Sequence, residues 1–228
     1  MDKHWQIKPD RDKALMLAMK MLPEFVHDAV LLEGINYTLP EIQTLLQGIT
    51  VGGRKLTDQK IAINQAETWR YLFSLVRVDK FQVSKTVACS LQEIAAEGEA
   101  LDSGAFRSGS VTISGTKYQP PGPDKLHQLF DVMTDQIKTF EDIYDQAVHI
   151  FLTMARTQFF FDVNKRMGRF MMNGHLLQAG YPAINVPATR ELEFNQLMVE
   201  YYGSGESEAM NIFLRSCLDE RHIKIMKE

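Results

Sequence analysis

Along most of the chain apolar residues recur three and four positions apart, the period of helices that bury one face. That spacing predicts a helix over residues 10–21, with Pro23 as its stop. Thr38-Leu39-Pro40-Glu41 opens another: threonine can cap, proline suits an early helical position, and Ile42, Leu45 and Leu46 form the apolar stripe. The same period runs through residues 57–76, 82–97, 124–134 and 140–157, and again through 190–202 and 207–217. Residues 165–179 are apolar nearly all round. This helix is expected at the centre of the core, closed by Gly180 with Pro182 just beyond.

One stretch breaks the period. Over residues 105–119, Val111-Thr112-Ile113 alternates around β-branched residues between Gly109 and Gly115, which predicts a short hairpin. A lone hairpin is marginal in water and must lean on something. Such a flap can serve as the docking edge for an extended peptide; a plain surface loop is the alternative. The expected fold class is therefore all-α, mainly helical, with one short β-hairpin flap. There is no internal repeat and no low-complexity segment.

Composition narrows the function classes. With 45% hydrophobic residues in 228, the chain can bury a substantial core. Twenty-five basic and 29 acidic residues leave a net charge of −4, against the broad basic face that nucleic-acid binding requires. Cys89 and Cys217 lie far apart and outside any metal-ligand spacing, so zinc and a disulfide framework are not expected; both read as buried structural thiols. No apolar run approaches a membrane span, and Met1-Asp2-Lys3-His4 starts no signal peptide, so a cytoplasmic location is the default expectation.

Candidate chemistry concentrates in one loop, Asp162-Val163-Asn164-Lys165-Arg166, which opens the central helix and leads on to Met167, Gly168 and Arg169. Asn164 is placed to cap that helix. Lys165, Arg166 and Arg169 share one face of its first turns, where like charges repel and cations oppose the macrodipole. An anion reverses each of these signs, because free amides, dipole and cations then converge on it. Asp162 fits such a site if it holds a divalent cation beside phosphates. The alternative is that Lys165 is solvated and the arginines pair with acidic side chains elsewhere.

The stretch Gln158-Phe159-Phe160-Phe161-Asp162-Val163-Asn164-Lys165-Arg166-Met167-Gly168-Arg169 resembles the hallmark of the Fic family of protein AMP-transferases, His-Pro-Phe-x-(Asp/Glu)-Gly-Asn-(Gly/Lys)-Arg-x-x-Arg. Phe160, Asp162, Asn164, Arg166 and Arg169 are kept; the histidine, the proline and the first glycine are not. Glu33-Gly34 is similar to the family's inhibitory (Ser/Thr)-x-x-x-Glu-(Gly/Asn) helix, with Ala29 where the hydroxyl residue belongs. Phe106-Arg107, Val111-Thr112-Ile113 and Tyr118-Gln119-Pro120-Pro121 look like its flap.

The resemblance implies an N-terminal helical region over 1–80 carrying the inhibitory helix, and a Fic core over 81–228. It implies transfer of AMP from ATP to a Ser, Thr or Tyr hydroxyl of a target protein docked at Val111, Thr112 and Ile113. Asp162 would hold Mg²⁺, and residues 163–169 the phosphates. Phe194 and Tyr202 would line the base, and Glu33 would pair with Arg169 to inhibit. Homo-oligomerisation stays open.

Gln158 stands where the family has its general base. A carboxamide has no proton-accepting pKa near 7, so transfer is expected to be weak or altered. His149 and His175 are out of rotation to replace it, and read as structural. Val163 puts a β-branched side chain where glycine would allow positive φ, which it should bar. Phe159-Phe160-Phe161 makes the mouth more apolar, with Phe160 as core. Three readings remain: a slow or altered transferase, a pseudoenzyme that binds nucleotide or target, and a helical domain with a vestigial site.

Overall fold

The computed structural model describes residues 5–100 and 102–228; Met1–His4, on which the signal-peptide reading rests, lie outside them. The N-terminal helices are α1 (Arg11–Lys20), α2 (Leu22–Leu31), α3 (Leu39–Leu46) and α4 (Leu56–Arg77). Then follow α5 (Lys85–Ala95), α6 (Leu126–Ile137), α7 (Ile143–Thr157) and α8 (Asn164–Gln178). The chain closes with α9 (Glu191–Ser204), α10 (Glu208–Ser216) and α11 (Glu220–Lys227). The all-α class holds.

The predicted helices are present, and two of the differences are instructive. Pro23 is not a stop but sits in the first turn of α2, where its missing N–H costs nothing. Helix α11, not expected, is amphipathic, begins at the Asp219 cap and buries Ile223 and Met226. At α3 the capping box is complete: Thr38 Oγ1 accepts from the Glu41 amide at 3.4 Å, and Glu41 accepts from the Thr38 amide at 2.7 Å.

Helix α8 is the axis of the molecule. Met167, Met171, Met172, Leu176 and Leu177 are fully buried on it, and α1, α4, α5 and α7 pack around it. A Cβ on Gly168 would stand 2.9 Å from the Phe151 carbonyl oxygen on α7, so this glycine permits the close approach of the two helices. One apolar cluster joins α1–α6 to α7 and α8, and a second lies between these two and α9, α10 and α11. The first cluster contains residues from both sides of the turn after α4, near residue 80. No described helix is long and apolar enough to cross a membrane.

The expected β-hairpin is not formed. Residues 105–119 contain no strand, and the chain runs extended to a turn at Ser114-Gly115 and back. Among the described residues no backbone hydrogen bond crosses from one limb to the other. The limbs are instead fixed outward: Tyr118 lies under the Arg156 guanidinium at 4.2 Å, and the Arg107 amide donates to the Phe159 carbonyl at 2.9 Å.

Candidate active-site cleft

Helix α7 ends at Gln158, whose φ of 54° is left-handed, and α8 is entered through Val163, whose φ of 60° is left-handed too. Valine thus adopts the conformation its branched side chain was expected to bar. Between them, Phe160 is in the core as expected, and Phe159 is buried beside it beneath the loop rather than at the mouth, both in ring contact with Phe106. They anchor the loop from below.

Asn164 does not cap α8; it is the first helical residue, and Val163 occupies the cap position with no side-chain bond. Its carboxamide staples the loop instead. Oδ1 accepts from the Phe160 amide at 2.9 Å, while Nδ2 donates to the Phe160 carbonyl at 2.8 Å and to Gln158 Oε1 at 3.0 Å. The amides of Asn164, Lys165 and Arg166 therefore receive no side-chain cap, and all three residues line a cleft of about 410 Å³.

Glu33, Gln158, Asp162, Val163, Asn164, Lys165 and Arg166 line that cleft, with Thr112, Ile113 and Ser114 of the flap opposite and Tyr202 of α9 closing it. Asp162 is exposed and its Oδ1 accepts from the Val163 amide at 2.6 Å, which leaves the second oxygen for a cation. No group of three or more acidic, histidine or cysteine ligands occurs among the described residues, so Asp162 could supply one hard oxygen ligand and a nucleotide's phosphates the others.

The three cations do not converge on the cleft as a set. Arg166 is 5% exposed and bonds both oxygens of Glu99, at 2.8 and 2.7 Å, with Glu33 at 3.9 Å. Burial works against its charge, but the Glu99 bonds and the field of Glu33 outweigh it and hold its pKa above the ordinary value. Arg169 meets Glu33 at 3.4 Å, and burial lowers its pKa despite that neighbour. Among the described residues Lys165 is the one of the three with no carboxylate partner. The arginines have acidic partners, as in the alternative, and Lys165 and Arg166 line the cleft.

Glu33 reaches α8 because of how α2 ends. Gly34, at φ 76°, lets its amide bond Leu31 O at 2.8 Å and the Ile35 amide bond Val30 O at 3.0 Å, a Schellman closure that ends α2 and leaves Glu33 in the turn just beyond it.

Five of the residues expected at the site do not line the cleft. Met167 is fully buried, with its amide bonded to Val163 O, and Gly168 faces Phe151. Phe194 is 1% exposed, packed between Phe151 and Phe213 in the second core cluster. Arg169 lies beyond the cleft lining, and so does Val111 of the flap.

Asn195, Met198 and Val199 face the cleft in place of Phe194; their phase with Tyr202 along α9 was the available signal. Glu99, in a turn after α5, carried none. Cys217 is buried as expected, but Cys89 is only partly so. His149 and His175 both lie outside the cleft, with pKa values lowered by burial; His175 shares a 2.8 Å hydrogen bond with Gln146.

Residues 82–176 match the model of the Fic/DOC family. The chain is 21% identical over 206 residues to the protein adenylyltransferase Fic of Drosophila willistoni, an alignment covering 86% of this chain and 40% of that protein. It thus spans about two fifths of the length of the curated relatives it matches. Among solved structures, Fic-1 (residues 134–508) of C. elegans superposes with a TM-score of 0.76 at 16% identity, over 95% of this chain and 71% of that one. A Fic-domain signaling protein of Bacteroides thetaiotaomicron gives 0.76 at 17%, over 97% and 91%. On motif and family model together, residues 82–176 of the chain form a Fic/DOC-family domain, carried in a fold shared with these solved Fic structures.

Proposed function

We propose that the cleft binds ATP with a divalent cation, and that transfer of AMP from it to a Ser, Thr or Tyr hydroxyl of a target protein is weak or altered. The observation that supports this is one cleft in which uncapped first-turn amides, Lys165 and Asp162 meet a carboxamide at position 158. The amides of residues 164–166 and the Lys165 ammonium would receive phosphate oxygens. Asp162 would hold Mg²⁺, which when bound neutralises phosphate charge. Thr112, Ile113 and Ser114 would flank the target segment, and Tyr202 and Met198 the base. Glu33 beside Arg169 puts negative charge where a terminal phosphate would seek that arginine, which makes it the inhibitory residue.

Gln158 cannot accept the hydroxyl proton, and both polar atoms of its side chain are already used: Nε2 donates to Ala155 O at 2.6 Å and Oε1 accepts from Asn164. Missing general-base help costs roughly 10²–10⁴ in rate. That double engagement favours a second reading, a pseudoenzyme acting by association. Mg²⁺–ATP at about 100 times its Kd should stabilise the fold by about 2.7 kcal/mol, read as a rise in Tm, and more readily in Glu33→Gly. Labelled AMP on Glu33→Gly supports an enzyme; label only on Glu33→Gly/Gln158→His supports a pseudoenzyme. No thermal shift in any of these proteins removes both readings.

A further inference from the structure

Arg107 is 2% exposed, and its guanidinium lies among main-chain carbonyls rather than beside an acid. Nε donates to Gln158 O at 2.6 Å and Nη1 to Gly109 O at 2.6 Å; Nη2 donates to Pro121 O and, at 3.5 Å, to Thr157 O. The Arg107 amide adds a bond to Phe159 O at 2.9 Å. Burying an unpaired cation is expensive unless its donors are satisfied. Here the planar fork satisfies them with carbonyls, two of which, Thr157 and Gln158, lie at the C-terminus of α7, where the helix dipole is negative.

The acceptors are not a random set. Gly109 and Pro121 bracket residues 110–120, the part of the flap that carries its turn, and Thr157 and Gln158 are the end of α7 and the position of the missing base. The flap has no ladder of its own to set its position. We propose that Arg107 is a positioning residue: a clasp of main-chain hydrogen bonds that fixes both ends of the flap's turn-bearing part against residue 158, and so sets a docked target hydroxyl relative to the phosphate loop. The function assigned to this clasp rests on the flap-docking reading above; the clasp itself does not.

Two measurements separate these. Arg107→Lys keeps the charge but not the fork, and Arg107→Gln loses both; should the second fail to fold, the first carries the test. Trypsin cleavage after the exposed Lys117, inside the flap, is expected to quicken about tenfold in either variant while sites in α4 and α8 stay resistant, since local opening and not global unfolding admits the protease. Unchanged cleavage at Lys117 overturns the clasp. In Glu33→Gly/Gln158→His, adding Arg107→Lys should lower kcat for AMP incorporation by about 10²-fold, the scale of a small misplacement of reacting groups, with KM for ATP within about threefold. A parallel rise in KM would overturn positioning in favour of general support. If that background takes up no AMP, the target-docking reading fails, and the tryptic result still decides the clasp.

Discussion

Glu33 and Glu99 both reach arginines of α8, but in different physical settings. Glu99 holds a 95%-buried guanidinium through two bonds near 2.8 Å, whereas Glu33 touches Arg169 once, at 3.4 Å, with 26% of its side chain in solvent. Glu99→Gln strands a buried charge and should cost about 3–5 kcal/mol; Glu33→Gln should cost about 1 kcal/mol or less. Urea denaturation of both variants checks this, and the reverse order would show that Glu33, not Glu99, supports the loop. The sequence made one partner legible and not the other. Glu33 announces itself by the glycine that ends its helix; Glu99 sits in a turn without periodicity, and only the fold brings it 67 positions along the chain to Arg166. Val163 was misjudged for an energetic reason. A left-handed β-branched residue is strained by about 1–2 kcal/mol, but burying its side chain to 4% exposure returns about 1.5–3 kcal/mol, so packing wins.

At the scale of elements, the α7–α8 pair sets the pitch at which the loop is presented. Gly168→Ala should gain about 1 kcal/mol of helix propensity and lose more, because the new methyl meets the Phe151 backbone, which cannot rotate away. A net loss of about 1–2 kcal/mol, seen as a Tm lower by roughly 2–8 °C, is expected. A Tm at or above wild type would mean that the helices can separate freely. Helix periodicity was read correctly wherever an apolar face was long enough to repeat. It misses α11, whose eight residues lack the Thr-Leu-Pro-Glu opening that marks the equally short α3, and it misplaces Pro23, where a proline can end one helix or begin the next and only the structure tells which. The flap misled because alternation of β-branched residues reports a pleated surface, not whether a partner strand will be there.

For the whole molecule, pH acts through buried imidazoles. Burial lowers the pKa of His175 to about 4 in the folded protein, while 6.5 is the ordinary value it recovers on unfolding. Between those values the unfolded chain binds the extra proton, so stability rises with pH across that window and this contribution is complete above it. Lowering pH from 7 to 4 should remove about 3 kcal/mol through His175, and His149 and His222, also depressed by burial, act in the same direction. Denaturation midpoints from pH 4 to 7 check this; His175→Gln should flatten the profile, and an unchanged slope would place the titration elsewhere. The clasp at Arg107 bears on how such a molecule changes over generations. Its acceptors are main-chain carbonyls, which every amino acid supplies, so positions 109, 121, 157 and 158 can mutate without breaking it. A lineage could therefore exchange the side chain at 158 and keep the main-chain frame around it.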